Sequence, residues 1–182
     1  MAGNILRAAE AAHERERWKK GSIVMSQFQI YIPTRTLFGA GTLKELHKQK
    51  LPGKRAMIVT TNGKSVKENG ALAQTQEQLR LADADFALFD KVEANPLKST
   101  VMAGAAFARE EGCDFVVALG GGSVMDASKA MAFMATNPGD IWDYINGGTG
   151  KAQPMQQEPL PLVCITTTAG TGSEADQWGV IT

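Results

Sequence analysis

The stretch VVALGGGSVMDASKA, residues 116–130, passes from an apolar run through three consecutive glycines into a helical pattern. A strand and a helix must therefore meet at a point made almost entirely of backbone. Each glycine costs folding ~0.5–1 kcal/mol relative to alanine, and in return allows φ > 0 and the close approach of another group. The free N–H groups and the positive dipole end at a helix start suit an anion, above all a phosphate. Gly120, Gly121 and Gly122 are accordingly candidate phosphate-binding residues, with Ser123 adding a hydroxyl donor at the helix start.

The flanking pattern supplies the scaffold for that junction. RAMIVTT (55–61), FALFD (86–90), CDFVVALG (113–120) and LPLVCITT (160–167) read as strands, and FQIYIP (28–33) as a period-two strand. Between them, VKENGALAQTQEQLRLA (66–82) reads as a helix weakened by Gly70. NPLKSTVMAGAAFAREEG (95–112) reads as a helix capped by Ser99 or Thr100 and ended by Gly112, and a further helix runs from Ser123 to Thr136. Gly39 and Gly41 predict a turn before a helix in TLFGAGTLKELHKQ (36–49), and residues 139–159 read as loop. Strands that alternate with helices pair in parallel, which predicts a Rossmann-like, doubly wound α/β domain over residues 25–182. Residues 1–24 read as a charged, helical N-terminal extension.

Nineteen basic residues balance nineteen acidic ones, so the overall charge argues against nucleic acid or an anionic membrane as partner. The 43% hydrophobic and 21% charged fractions are those of a globular chain. No apolar run reaches the ~18 residues of a membrane span. Cys113 and Cys164 lie far apart beside predicted strands, which predicts two buried thiols and a reducing, cytoplasmic location.

Neither common nucleotide motif is complete. Met125 stands where G-x-G-x-x-G needs its third glycine, and Ile58 stands where a P-loop ending in Gly63-Lys64-Ser65 needs its first. A second loop, ITTTAGTGSEAD (165–176), follows the last strand with glycine amides and threonine hydroxyls, so two neighbouring loops can hold one extended ligand such as a pyrophosphate. Asp126 and Lys129, three apart on one helix face, form either a surface ion pair or part of that site.

GGGSVMDASKA (120–130) together with TTAGTGSE (167–174) resembles the iron-containing, or group III, alcohol dehydrogenases, and FGAG (38–41) and VEANP (92–96) resemble two further landmarks of that family. The resemblance implies hydride transfer between an alcohol and NAD(H) or NADP(H), assisted by Fe2+ or Zn2+. It implies that Gly120, Gly121, Gly122 and Ser123 hold the cofactor pyrophosphate, that Thr167, Thr168 and Thr171 line the adenine and ribose side, that Asp126 and Lys129 stand near the nicotinamide, and that Asn95 belongs to the adjoining loop. It also implies an alcohol or aldehyde substrate and a homo-oligomer.

Ala94 and Thr166 occupy positions where the family usually carries proline. Thr61 occupies the place of an aspartate that, in NAD-preferring relatives, contacts the ribose hydroxyls. With Lys64 and Ser65 close by, this favours NADP(H). The family's metal ligands, an aspartate and three histidines, are expected beyond Thr182, in an all-helical second domain. His13 and His47, the only histidines, lie in charged segments expected to be exposed, so neither metal ligands nor catalytic residues are assigned within these residues. WGVIT (178–182) reads as a strand midway through a protein, and the chain is expected to be the truncated, cofactor-binding half of a two-domain enzyme, inactive alone. The competing readings are a glycerol dehydrogenase or dehydroquinate synthase relative, a non-catalytic nucleotide-binding fragment, and a phosphotransferase using NGKS.

Overall fold

β1 (Arg55–Thr61) and β3 (Phe115–Gly120) carry unbroken apolar runs because both of their faces are covered. They pair in parallel, with β2 (Asp85–Val92) outside β1 and β4 (Leu162–Thr166) outside β3, giving the order β2-β1-β3-β4. The chain steps outward from β1 to β2 and returns past β1 to β3. The carboxyl ends of β1 and β3 therefore flank the point where strand order reverses, the usual position of a ligand crevice in such sheets. The computed structural model describes residues 32–182, of which Thr34–Thr182 form one compact unit. The expected helix in 1–24 and most of the strand at 28–33 lie outside the described residues.

Alternation along the strands divides the core in two. Met57, Val59, Val116 and Ala118 point into one layer with Val101, Ala105, Met125 and Met131. Those helix residues belong to α3 (Lys98–Glu110) and α4 (Gly122–Thr136), which cover this face. Ala56, Ile58, Phe115, Val117 and Leu119 point the other way, onto Val66 of α1 (Ser65–Glu68) and Leu72 and Leu79 of α2 (Ala71–Leu81).

Several local expectations are corrected. Residues 66–82 are two helices, because Gly70 turns left-handed at φ 81° between α1 and α2. Neither Ser99 nor Thr100 caps α3. Its N-cap is Leu97, without a side-chain hydrogen bond, and the Thr100 hydroxyl donates to Glu93 Oε1 at 2.7 Å. Gly112 does end the helix turn, at φ 63°. Residues 139–159 contain a short helix, α5 (Ile141–Tyr144), started by a capping box between Asp140 and Asp143. Gly39 and Gly41 do turn the chain, into a 3-10 helix, Thr42–Lys48. His47 in that helix is half-buried, its Nδ1 lying 2.7 Å from Gln78 Oε1. Residues 178–182 form no strand, but Thr182 N–H donates to the Pro96 carbonyl and the Lys98 N–H donates to the Thr182 carbonyl, both at 2.9 Å. Cys113 is buried and Cys164 half-buried, and burial pushes each thiol up to about 11.

Candidate functional site: a glycine corner at the strand ends

The β1–β3 ladder ends at Val59 opposite Ala118, and beyond it the Thr60 hydroxyl donates to the Leu119 carbonyl at 2.8 Å, tying the two strand ends together. β3 runs directly into α4 through Gly120 and Gly121. No side chain caps α4, and its first ladder bonds run from the Val124 and Met125 amides to the Gly121 carbonyl, at 3.0 and 3.1 Å. The amides of Gly122 and Ser123 thus stand ahead of the ladder, at the positive end of a 15-residue helix.

The glycines serve close packing. None of Gly120, Gly121 and Gly122 has positive φ, so of the two freedoms that glycine allows, this turn uses close approach. A Cβ on Gly120 would lie 2.5 Å from Val124 Cγ2, one on Gly121 2.8 Å from Thr168 Oγ1, and one on Gly122 2.8 Å from Thr171 Cγ2. The second loop therefore lies directly against the first, and the Thr167 amide donates to the Gly120 carbonyl at 2.9 Å. Thr167, Thr168 and Thr171 are all exposed beside the corner. Thr166 sends its hydroxyl to the Thr168 carbonyl at 2.7 Å, which helps shape this loop.

A cavity of about 340 Å3 opens here, lined among others by Gly122, Ser123, Asp126, Thr171 and Ser173. Its far wall runs from Asp176, the last residue of the 165–176 loop, to Val180, and beyond Asp176 it was not singled out in the sequence as part of a site. The segment is irregular and reaches the cavity through partners distant in the chain. Asp126 accepts hydrogen bonds from Ser173 Oγ at 2.6 Å and from the Val180 amide at 3.0 Å. Lys129 donates to Ser173 Oγ at 2.9 Å, Asp176 Oδ1 at 2.7 Å and the Trp178 carbonyl at 2.6 Å. Asp126 and Lys129 are thus no plain surface pair: they are 4.0 Å apart, with side chains only 18% and 15% exposed.

Across the strand reversal, Thr61 accepts the Gly63 amide at 3.2 Å, and Lys64 and Ser65 are exposed at the start of α1. Asn95 is exposed at φ 56° in the loop between β2 and α3, outside the wall of the cavity. Among the described residues no three or more His, Cys, Asp and Glu side chains converge as a metal site.

Residues 33–182 match the family described as iron-containing alcohol dehydrogenase. A probable NADH-dependent butanol dehydrogenase of Bacillus subtilis is 39% identical over 158 residues, covering 87% of this chain and 40% of that protein. A 1,3-propanediol dehydrogenase of Klebsiella pneumoniae is 37% identical, covering 85% of this chain and 39% of its own. Among solved structures, an archaeal alcohol dehydrogenase from a Red Sea brine pool superposes with a TM-score of 0.79 at 34% identity, over 87% of this chain and 41% of that one. A sulfoacetaldehyde reductase from Bifidobacterium kashiwanohense, solved in complex with NAD+, superposes with a TM-score of 0.69 at 32% identity, over 83% and 39% of the two chains. The chain thus spans about 40% of the length of the relatives it matches. By the match over residues 33–182 and by these likenesses, the chain belongs to the iron-containing alcohol dehydrogenase family.

Proposed function

We propose that this chain supplies the dinucleotide cleft of an NAD(P)-dependent alcohol dehydrogenase that interconverts an alcohol and its aldehyde or ketone. The observation that carries the reading is the contact between the glycine corner and the threonine loop, with the first amides of α4 left open between them. Gly120, Gly121, Gly122 and Ser123 would receive the pyrophosphate, while Thr167, Thr168 and Thr171 would donate hydroxyls along its flank. The bound nicotinamide would accept or give the hydride. The described residues do not fit a metal ion. The family's metal and the substrate pocket belong, in this reading, to parts of the protein outside these residues, and the whole enzyme is a homo-oligomer.

Thr61 points to NADP(H) over NAD(H). A carboxylate at this strand end would accept from the ribose hydroxyls and repel a 2′-phosphate. A neutral hydroxyl does neither, and the exposed Lys64 and Ser65 stand ready to donate to the phosphate. Fluorescence titration with NADPH, NADH and ATP tests both parts. The expected order is NADPH tighter than NADH, with ATP weakest. ATP binding without a nicotinamide signal would overturn the dehydrogenase reading, whereas a preference for NADH would overturn only the choice of cofactor.

A further inference from the structure

We infer that Lys129 is a positioning residue that latches residues 173–180 over the glycine corner, so that the nucleotide is held by a roof that Lys129 fastens rather than by Lys129 itself. The inference rests on the nucleotide reading above, and it differs from the placement of this lysine beside the nicotinamide.

The geometry carries it. Lys129 is absent from the wall of the cavity, yet its ammonium bonds three successive points of the segment that closes it: Ser173 Oγ, Asp176 Oδ1 and the Trp178 carbonyl. An ammonium has three donors, and all three are engaged. Its charge is matched by Asp176 at 2.7 Å and Asp126 at 4.0 Å, which leaves little of it for a phosphate. The same hydrogen bond from Lys129 is the foremost cause that holds the Asp176 carboxyl below the usual carboxylate range.

The roof has few other supports. Residues 173–180 contain no helix or strand, and Trp178 and Val180 are 75% and 74% exposed, so apolar burial does not hold them. Asp126 adds the bonds to Ser173 Oγ and the Val180 amide, and Gly179 packs close enough that a Cβ there would meet Asp126 Cα at 3.4 Å. Asp126 and Lys129, three apart on α4, thus bind the segment along one helix face. Further along the chain the two backbone bonds of Thr182 to Pro96 and Lys98 tie it down.

Hydrogen exchange of residues 173–180 in the unliganded chain, together with NADPH titration, tests the latch in Lys129→Met, Lys129→Arg and Asp176→Asn. Lys129→Met is expected to quicken exchange in 173–180 and to weaken NADPH roughly tenfold, with Lys129→Arg recovering part of both. Asp176→Asn decides between a latch and a direct phosphate contact. If Lys129 touched phosphate, removing the competing carboxylate would free its charge and tighten binding; the latch predicts binding about threefold weaker, with faster exchange. Tighter or unchanged binding in Asp176→Asn, or unchanged exchange in Lys129→Met, overturns the inference. Should the wild-type chain bind neither NADPH nor NADH, the nucleotide reading fails, while the exchange measurement still decides whether Lys129 fastens the segment.

Discussion

The two strand ends on either side of the reversal in strand order are built differently. At the end of β3, three glycines lead into a 15-residue helix with no side-chain cap, and a second loop packs against them. At the end of β1, the turn satisfies itself: Thr61 accepts the Gly63 amide, and the helix that follows, α1, has only four residues. A four-residue helix sums few peptide dipoles, so the NGKS turn offers a phosphate its exposed side chains but little helix dipole, despite its likeness to a P-loop. In the proposed reading the two corners have distinct tasks. The β3 corner suits the diphosphate, and the exposed β1 corner suits a reader of the neighbouring ribose.

The largest effect is expected where the packing is tightest. In Gly121→Asp, the new Cβ would start 2.8 Å from Thr168 Oγ1 and carry a carboxylate onto the anion site, so NADPH affinity should fall by roughly a hundredfold or more. The far-ultraviolet circular dichroism should stay close to wild type, since Gly121 lies outside the paired strands. Gly120→Ala is the contrasting control. Its Cβ meets the β-branched Val124, and the cost of about 1–3 kcal/mol should appear first in thermal stability. Retained NADPH affinity in Gly121→Asp would remove the phosphate from this corner and erase the contrast between the two strand ends.

A smaller effect is expected at the β1 corner. Thr61→Asp should reverse the cofactor preference by about tenfold in the ratio of NADPH to NADH affinities, chiefly by repelling the 2′-phosphate. Lys64→Ala should weaken NADPH a few-fold and leave NADH unchanged, in keeping with an exposed charge. If both variants bind NADPH and NADH as the parent does, the β1 corner reads nothing and the division of tasks fails.

The sheet was legible because burial on both faces leaves a plain mark: β1 and β3 are continuous apolar runs, β1 has the bounds read from sequence, and β3 ends where read but starts two residues later, at Phe115. The adjacency of the glycine and threonine loops was legible too, since both follow parallel strands that share an edge, with Gly120 opposite Thr166. Caps were read less well. Thr100 has a capping side chain by type, yet its hydroxyl goes to Glu93, a choice set by tertiary neighbours. The wall formed by Asp176 to Val180 could not be read locally. Its bonds to Asp126 and Lys129 join residues 47 to 54 positions apart, and no periodicity in WGVIT marks a segment held by side chains of another element. The purpose of Asp126 and Lys129 was hidden for the same reason.

The smallest effect uses the two thiols as reporters of opposite ends of the sheet. Cys164 lies within β4, two residues before Thr166, whereas Cys113 precedes β3 at the end where Asp114 binds the amides of Lys54 and Arg55. Burial pushes both thiols up to about 11 from an ordinary value of 9.0, so folding favours the protonated form of each. The stability this contributes is complete below pH 9 and is lost as the pH rises towards 11. Reaction with an aromatic disulfide reagent should therefore be slow near neutrality and accelerate over that alkaline interval. Saturating NADPH should slow Cys164 about threefold through reduced local opening beside the glycine corner, and should leave Cys113 unaffected. Equal protection of both thiols would mean that the nucleotide stabilises the whole sheet rather than one end. Protection of Cys113 alone would place the ligand at the wrong edge of the strands.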